Sequence, residues 1–178
     1  MRVPMFGASS LVLVGLLASP AFGQGVVREE VEGIRNFARV GTTIACAGAI
    51  DPAAVPEIEQ MGFSSIINLR RATEQGANVE QEAAAVAATG LKYFHIPYDG
   101  SADPAVAEQF LDAITSEGAE PAFVHCAGGG RAATMWLVKR IAVDHWDVER
   151  ATEEAIALGQ GNPDRRKFAI EYGQAHPR

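Results

Sequence analysis

Long apolar runs are what this chain has least of. The one stretch worth weighing, Leu11 to Ala18, falls short of the about 20 residues a membrane span requires, so stable membrane insertion is not expected. That stretch lies between Arg2 and the small-residue pattern Ala21-Phe22-Gly23, which is the layout of a secretory signal peptide over residues 1–23. The expectation is an exported protein, periplasmic or secreted, whose mature chain starts near Gln24. No cysteine lies near the cleavage pattern, which argues against a lipoprotein. Positive charge is scarce as well. Fifteen Lys and Arg face 22 Asp and Glu, and losing Arg2 with the signal moves the net charge from -7 to -8. Nucleic acid is therefore not an expected partner, and only Arg165-Arg166-Lys167 forms a basic run. With two cysteines, Cys46 and Cys126, one disulfide is the most the chain can make. No cluster of His, Cys, Asp or Glu has metal-site spacing, and no cofactor is implied. Nothing in the sequence specifies an oligomeric state.

What is present is a single domain over residues 24–178, about 155 residues, enough for a real core. Periodicity and punctuation predict short strands at Phe37 to Val40 and Thr43 to Ala47. A helix follows near Pro56 to Met61, with Pro at its start and Gly62 just past its end. A buried-type strand is expected at Ser64 to Leu69, an alanine-rich helix at Val79 to Thr89, and a strand at Lys92 to Pro97. Asp103 and Pro104 mark the start of a helix that runs to about Ser116. After a strand at Pro121 to His125, helices are expected at Arg131 to Val143, Val148 to Leu158 and Asp164 to Gln174. Strands alternating with helices imply an α/β three-layer sandwich around a largely parallel sheet. Such sheets bind ligands at the carboxyl ends of their strands.

One stretch sits at such an end. In PAFVHCAGGGRAATMWLVKR, residues 121–140, an apolar strand delivers Cys126 into Ala127, Gly128, Gly129 and Gly130, and Arg131 then opens a helix. A helix N-terminus presents unpaired amides and partial positive charge, which favours the thiolate form of a thiol held there. Consecutive glycines let backbone amides turn inward as a nest around an anion. Arg131 adds a planar two-pronged donor to the same anion. The expected ligand is a phosphorylated or otherwise anionic substrate.

The stretch VHCAGGGRAA resembles the loop of cysteine-based protein phosphatases, and most closely the phosphatase-like domain of beta-lactamase hydrolase-like proteins. FARVGTTIACAGAI, INLRRATE and YFHIPYDG support the resemblance upstream, and together these stretches span roughly residues 36–145. The resemblance implies a phosphoric monoester hydrolase with Cys126 as nucleophile. Arg131 and the loop residues Ala127, Gly128, Gly129, Gly130 and Ala132 would hold the phosphoryl oxygens, and an aspartate would protonate the leaving oxygen. Asp99 is the match for that acid, with Asp103 as competitor and helix cap. His125 is expected to point back from its strand and tune Cys126, or else to be a hydrogen-bonded core residue. Arg70, Arg71 and Glu74 are candidates to line the pocket.

Two departures from the pattern matter. The motif is C-x4-R, one residue shorter than the C-x5-R usual in tyrosine phosphatases, and a shorter loop makes a smaller cradle. Six residues counted inclusively is the loop length of rhodanese-type sulfurtransferases, so sulfur transfer through a Cys126 persulfide stands as the alternative, with a weakly catalytic anion-binding module as a third. Ala132 occupies a position where phosphatases usually carry Ser or Thr to help the thiolate depart from phosphocysteine. Cys46 reads as a small buried thiol on an early strand, or as a partner able to join Cys126 and silence it.

Overall fold

The computed structural model describes residues 25–178; the signal-type segment 1–23 lies outside them. The chain order is β1 (Val26–Arg28), β2 (Ala38–Val40), β3 (Ile44–Ala47), a 3-10 turn (Pro52–Ala54), α1 (Val55–Gln60), β4 (Ser65–Asn68), α2 (Val79–Ala87) and β5 (Lys92–His95). It continues with α3 (Pro104–Thr115), β6 (Ala122–His125), α4 (Gly130–Ala142), α5 (Val148–Leu158) and α6 (Pro163–Ala175). The six strands form one sheet in the order β1-β2-β3-β6-β4-β5. β3, β6, β4 and β5 run parallel, whereas β1 and β2 add an antiparallel edge.

The sheet is mixed but mostly parallel, and each face is covered by helices. On one side Val55, Ile58 and Val86 from α1 and α2 pack on Ala45, Ile66 and Phe123. The other side is larger: Phe110 and Ile114 of α3, Met135 and Val138 of α4, and residues of α5 and α6 cover Ile44, Ile67 and Val124. Alternate residues of a strand face opposite sides, so neighbours along β6 serve different cores. Buried on both faces, the parallel strands are near-continuous apolar runs, which is why their positions were readable. The edge strand β1 was not expected; three residues, two of them exposed, leave no periodic signal.

Two close approaches set the site's frame. α6 lies against α4 because Gly173 has no side chain: a Cβ there would stand 2.8 Å from Ile141 Cβ. Gly48, just past β3, lets the chain run beside the cysteine loop, since a Cβ would stand 3.0 Å from Arg35 O and 3.1 Å from Ala127 O. Among the described residues no helix is long and apolar enough to cross a membrane.

Candidate active site

β6 ends at His125 and α4 starts at Gly130, so residues 126–129 turn the chain at the carboxyl edge of the sheet's centre. The turn is pinned from outside. The Cys126 amide donates to Ala47 O (3.1 Å), Ala49 N donates to Ala127 O (3.2 Å), and Asn36 Nδ2 donates to Gly128 O (3.1 Å). Gly129 caps α4 with φ +98°, a conformation that side-chain-bearing residues rarely adopt, and its amide donates to Cys126 Sγ at 3.1 Å. The amides of Gly130, Arg131 and Ala132 fall in the first helical turn, where no acceptor exists within the helix and the dipole is positive. Cys126 is itself almost fully buried. The arrangement places a sulfur among donors, as the sequence reading expects.

Arg131 is held in place rather than loose. Its Nη1 donates to Glu74 Oε1 (2.6 Å) and to the carbonyl of Tyr98, while Nη2 donates to Glu74 Oε2 (2.8 Å). This is a two-pronged carboxylate pair, mostly screened from solvent. It holds the Glu74 carboxyl down at about 2, the Arg131 bond being the largest cause, and it keeps Arg131 more firmly protonated, with the Cys126 charge acting in the same direction. Glu74 is positioned by Arg70, whose Nη1 and Nη2 donate to Gly76 O (2.6 Å) and Gln75 O (2.7 Å) and so close the loop after β4. Of the three charged residues expected near the pocket, Glu74 meets Arg131, Arg70 braces the loop, and Arg71 is exposed. The bonds to Glu74 and Tyr98 use the Nη atoms.

The two aspartates separate cleanly. Asp103 caps α3, its Oδ1 accepting from Ala105 N at 2.9 Å. Asp99 is exposed in the loop after β5; its Oδ1 accepts from Ser101 N at 2.8 Å, and that turn holds its carboxyl below the ordinary range. Tyr98, between Arg131 and Asp99, is buried, and its hydroxyl has no hydrogen-bond partner among the described residues. Burial pushes that hydroxyl up to about 12.

His125 is the correction. It is fully buried on the face opposite Cys126, as strand alternation requires, with Nε2 2.9 Å from Glu82 Oε1, so it neither lines the cradle nor touches Cys126. Glu82 Oε2 in turn accepts from Asn68 Nδ2 at 3.1 Å, and the same nitrogen lies 3.1 Å from the Tyr93 hydroxyl. Cys46 is buried on β3, one strand from Cys126; both thiols are free. Burial first, then the Cys126 charge, pushes the Cys46 thiol well above its usual value.

Sequence reasoning missed Glu82, a carboxylate on an alanine-rich helix whose partner lies 43 residues away. It also passed over Arg165, noticed only as part of a basic run. Arg165 enters from the first turn of α6 with Nη2 3.4 Å from where a Gly130 Cβ would stand. A cavity of about 650 Å³ lies elsewhere, lined by Glu29, Glu30, Glu32, Asp51 and Glu57 with Arg39. Five carboxylates against one guanidinium make it a poor host for phosphate.

Comparison with known proteins agrees with this geometry. The structure matches a candidate phosphatase from Shewanella putrefaciens with TM-score 0.68 at 18% identity, over 83% of this chain and 97% of that one. TpbA of P. aeruginosa matches with TM-score 0.61 at 21% identity, over 88% and 91%, and a variant of TpbA has been solved with phosphotyrosine. The core catalytic domain of the PP-IP phosphatase SIW14 of S. cerevisiae matches with TM-score 0.60 at 17% identity, over 80% and 88%. At such identities these likenesses establish the cysteine-phosphatase fold. In sequence, the chain is 36% identical over 106 residues to the beta-lactamase hydrolase-like protein of Agrobacterium fabrum, covering 56% of this chain but 24% of that longer relative. The family model for the beta-lactamase hydrolase-like protein, phosphatase-like domain, matches residues 36–143, a span that runs from the strands behind the cradle to the end of α4. The chain belongs to that family.

Proposed function

We propose that the protein is a cysteine-dependent phosphatase that hydrolyses phosphate monoesters through a phosphocysteine intermediate. The observation that carries the reading is the Gly129 amide directed onto Cys126 Sγ at the N-terminus of α4, with Arg131 locked beside it by Glu74. In the first step the Cys126 thiolate attacks phosphorus, the ester P–O bond breaks, and the leaving oxygen takes a proton from Asp99. In the second, water attacks phosphorus, its proton passes to the Asp99 carboxylate, and the P–S bond breaks to restore the thiolate. Loop amides and Arg131 stabilise the equatorial oxygens. Asp99 is ionised in the free protein, and the approach of a phosphate dianion raises its affinity for the proton it must donate.

The family match and the TpbA likeness support a phosphorylated substrate. The short C-x4-R loop is the observation that favours the rival reading, sulfur transfer through a Cys126 persulfide. Both are tested on the same reduced protein: release of phosphate from a small aryl phosphate, beside sulfur transfer from thiosulfate to cyanide, each with Cys126→Ser as control. Phosphate release that disappears in Cys126→Ser supports the proposal; rapid sulfur transfer with phosphate release at background replaces it. The proposed setting is outside the cytoplasm, and a mature N-terminus near Gln24 in the exported fraction is the outcome to look for.

A further inference from the structure

Arg165 is a cation without a counterion, in a chain with 22 acidic and 15 basic residues. Other arginines of the α4 side are spoken for: Arg131 by Glu74, Arg140 by Asp144 and Glu154, Arg178 by Glu108 and Asp112. Among the described residues no carboxylate pairs with Arg165, no acceptor meets its guanidinium, and its Nε is buried without a partner. Yet its place is well defined. Asn162 caps α6 by accepting the Arg165 amide at 2.9 Å, and the side chain then runs between two glycines. A Cβ on Gly100 would stand 2.9 Å from Nη1, and one on Gly130 would stand 3.4 Å from Nη2. The guanidinium therefore spans from the turn after Asp99 to the first residue of α4, and the buried, unpartnered Tyr98 hydroxyl feels its charge.

We propose that Arg165 forms a second anion subsite beside the cysteine cradle, and that the favoured substrate is a small molecule carrying two adjacent phosphoryl groups, a pyrophosphate or a vicinal bisphosphate. The substrate class rests on the phosphatase reading above. Its logic is positional. The acid protonates the leaving oxygen, so the Asp99 turn borders the leaving group, and Arg165 touches that turn at Gly100. A charge on the leaving group thus arrives at Arg165 while the reacting phosphoryl is held by the loop amides and Arg131. A planar fork suits a phosphate better than a single carboxyl oxygen. A desolvated donor left unpaired is costly to the free protein and rewarding to a ligand that satisfies it.

Two measurements test it. In the Cys126→Ser background, calorimetric titration compares inorganic phosphate with pyrophosphate, with and without Arg165→Gln. Pyrophosphate should bind about tenfold more tightly or better, and Arg165→Gln should remove that preference, whereas Arg165→Lys should keep part of it. With Cys126 intact, the ratio of kcat/KM for a vicinal bisphosphate over an aryl monophosphate should fall about tenfold or more in Arg165→Gln. Equal losses on both substrates, or no loss on either, overturn the subsite while leaving the phosphatase reading standing. An Arg165-dependent preference for pyrophosphate in a protein that turns over no phosphate ester overturns the phosphatase reading and keeps the subsite.

Discussion

His125 and Cys126 are neighbours in sequence and opposites in environment. His125 turns to the α1–α2 face, where Glu82, Asn68 and Tyr93 form a closed polar cluster around it. Because a carboxylate only accepts, Nε2 donates to Glu82, and Nδ1 is the one ring nitrogen of His125 without a partner among the described residues. Cys126 turns to the α4 face, where Gly129 N already donates to its sulfur and the first-turn amides and Arg165 offer donors that the protein does not use up. Donors and acceptors that satisfy each other hold a fold together; a surplus of one kind, aimed at one point, awaits a ligand.

The largest expected effect separates these two sides. Cys126→Ser should lower phosphatase turnover by a factor on the order of 10^4 or more, since a serine hydroxyl is not ionised near neutral pH, while stability changes by only about 1 kcal/mol because the buried hydroxyl keeps the Gly129 amide as its partner. Glu82→Leu should do the reverse. It strands His125 Nε2 in the core and leaves Asn68 Nδ2 with the Tyr93 hydroxyl alone, costs about 1–3 kcal/mol, and lowers the melting temperature by several degrees in calorimetry. Loss of turnover in Glu82→Leu at unchanged stability would break the comparison.

A smaller effect sharpens it at Arg131. Arg131→Lys should cost about 10^2–10^3 in turnover, because a point charge cannot both grip Glu74 and hold the phosphoryl oxygens. Glu74→Gln should cost less, about tenfold, by loosening the same guanidinium. The pH dependence has a definite sign. With the Glu74 carboxyl held at about 2 instead of 4.5, the pair's contribution is fully present above about 4.5 and fades only as pH falls toward 2. An acid limb between pH 5 and 7 in kcat/KM should therefore survive Glu74→Gln; its disappearance would show that Glu74 titrates in that range.

What the sequence made legible is local placement, and the roles read onto those residues belong to the proposal. Cys126, the glycines, Arg131 and the Asp103 cap lie within a few residues of the elements they serve, so composition and spacing reveal them. The reading failed where the partner is distant and the signal is a single residue. His125 went wrong because a strand's facing is settled by which core it meets, and Glu82 arrives from another helix. Arg165 is brought to the cradle only by the close packing of α6 on α4 that Gly173 permits, a contact no periodicity announces.

Further down in magnitude, Asp99→Asn should slow hydrolysis of an alkyl phosphate by about 10^2 but barely affect an ester whose leaving group departs without a proton. Asp103→Asn should change neither, because Asn caps a helix as well as Asp. Equal losses on both esters in Asp99→Asn would point to a role in the loop's shape, through the Ser101 amide it accepts, instead of proton transfer.

The smallest effect is expected at Ala132, and it tests whether the cradle side is complete. Ala132 is fully buried in the first turn of α4, within the same core cluster as Cys126. The hydroxyl that comes next along the helix, Thr134 Oγ1, donates to Gly130 O at 2.7 Å and is thereby turned back onto the helix. On the proposed mechanism, a phosphocysteine here would break down without a hydroxyl from position 132 or 134 to stabilise the departing sulfur. Ala132→Ser supplies one at the cost of an extra oxygen in a packed position, about 1 kcal/mol of stability if the hydroxyl finds a backbone acceptor. Turnover should rise severalfold, and rapid mixing should show the rise in the slow phase after the initial burst of leaving group, with burst rate unchanged. A faster burst would mean that the added hydroxyl assists attack and not release. Unchanged kinetics in both phases would mean that breakdown of the intermediate does not limit the enzyme, and that the donors already gathered around Cys126 suffice for both steps.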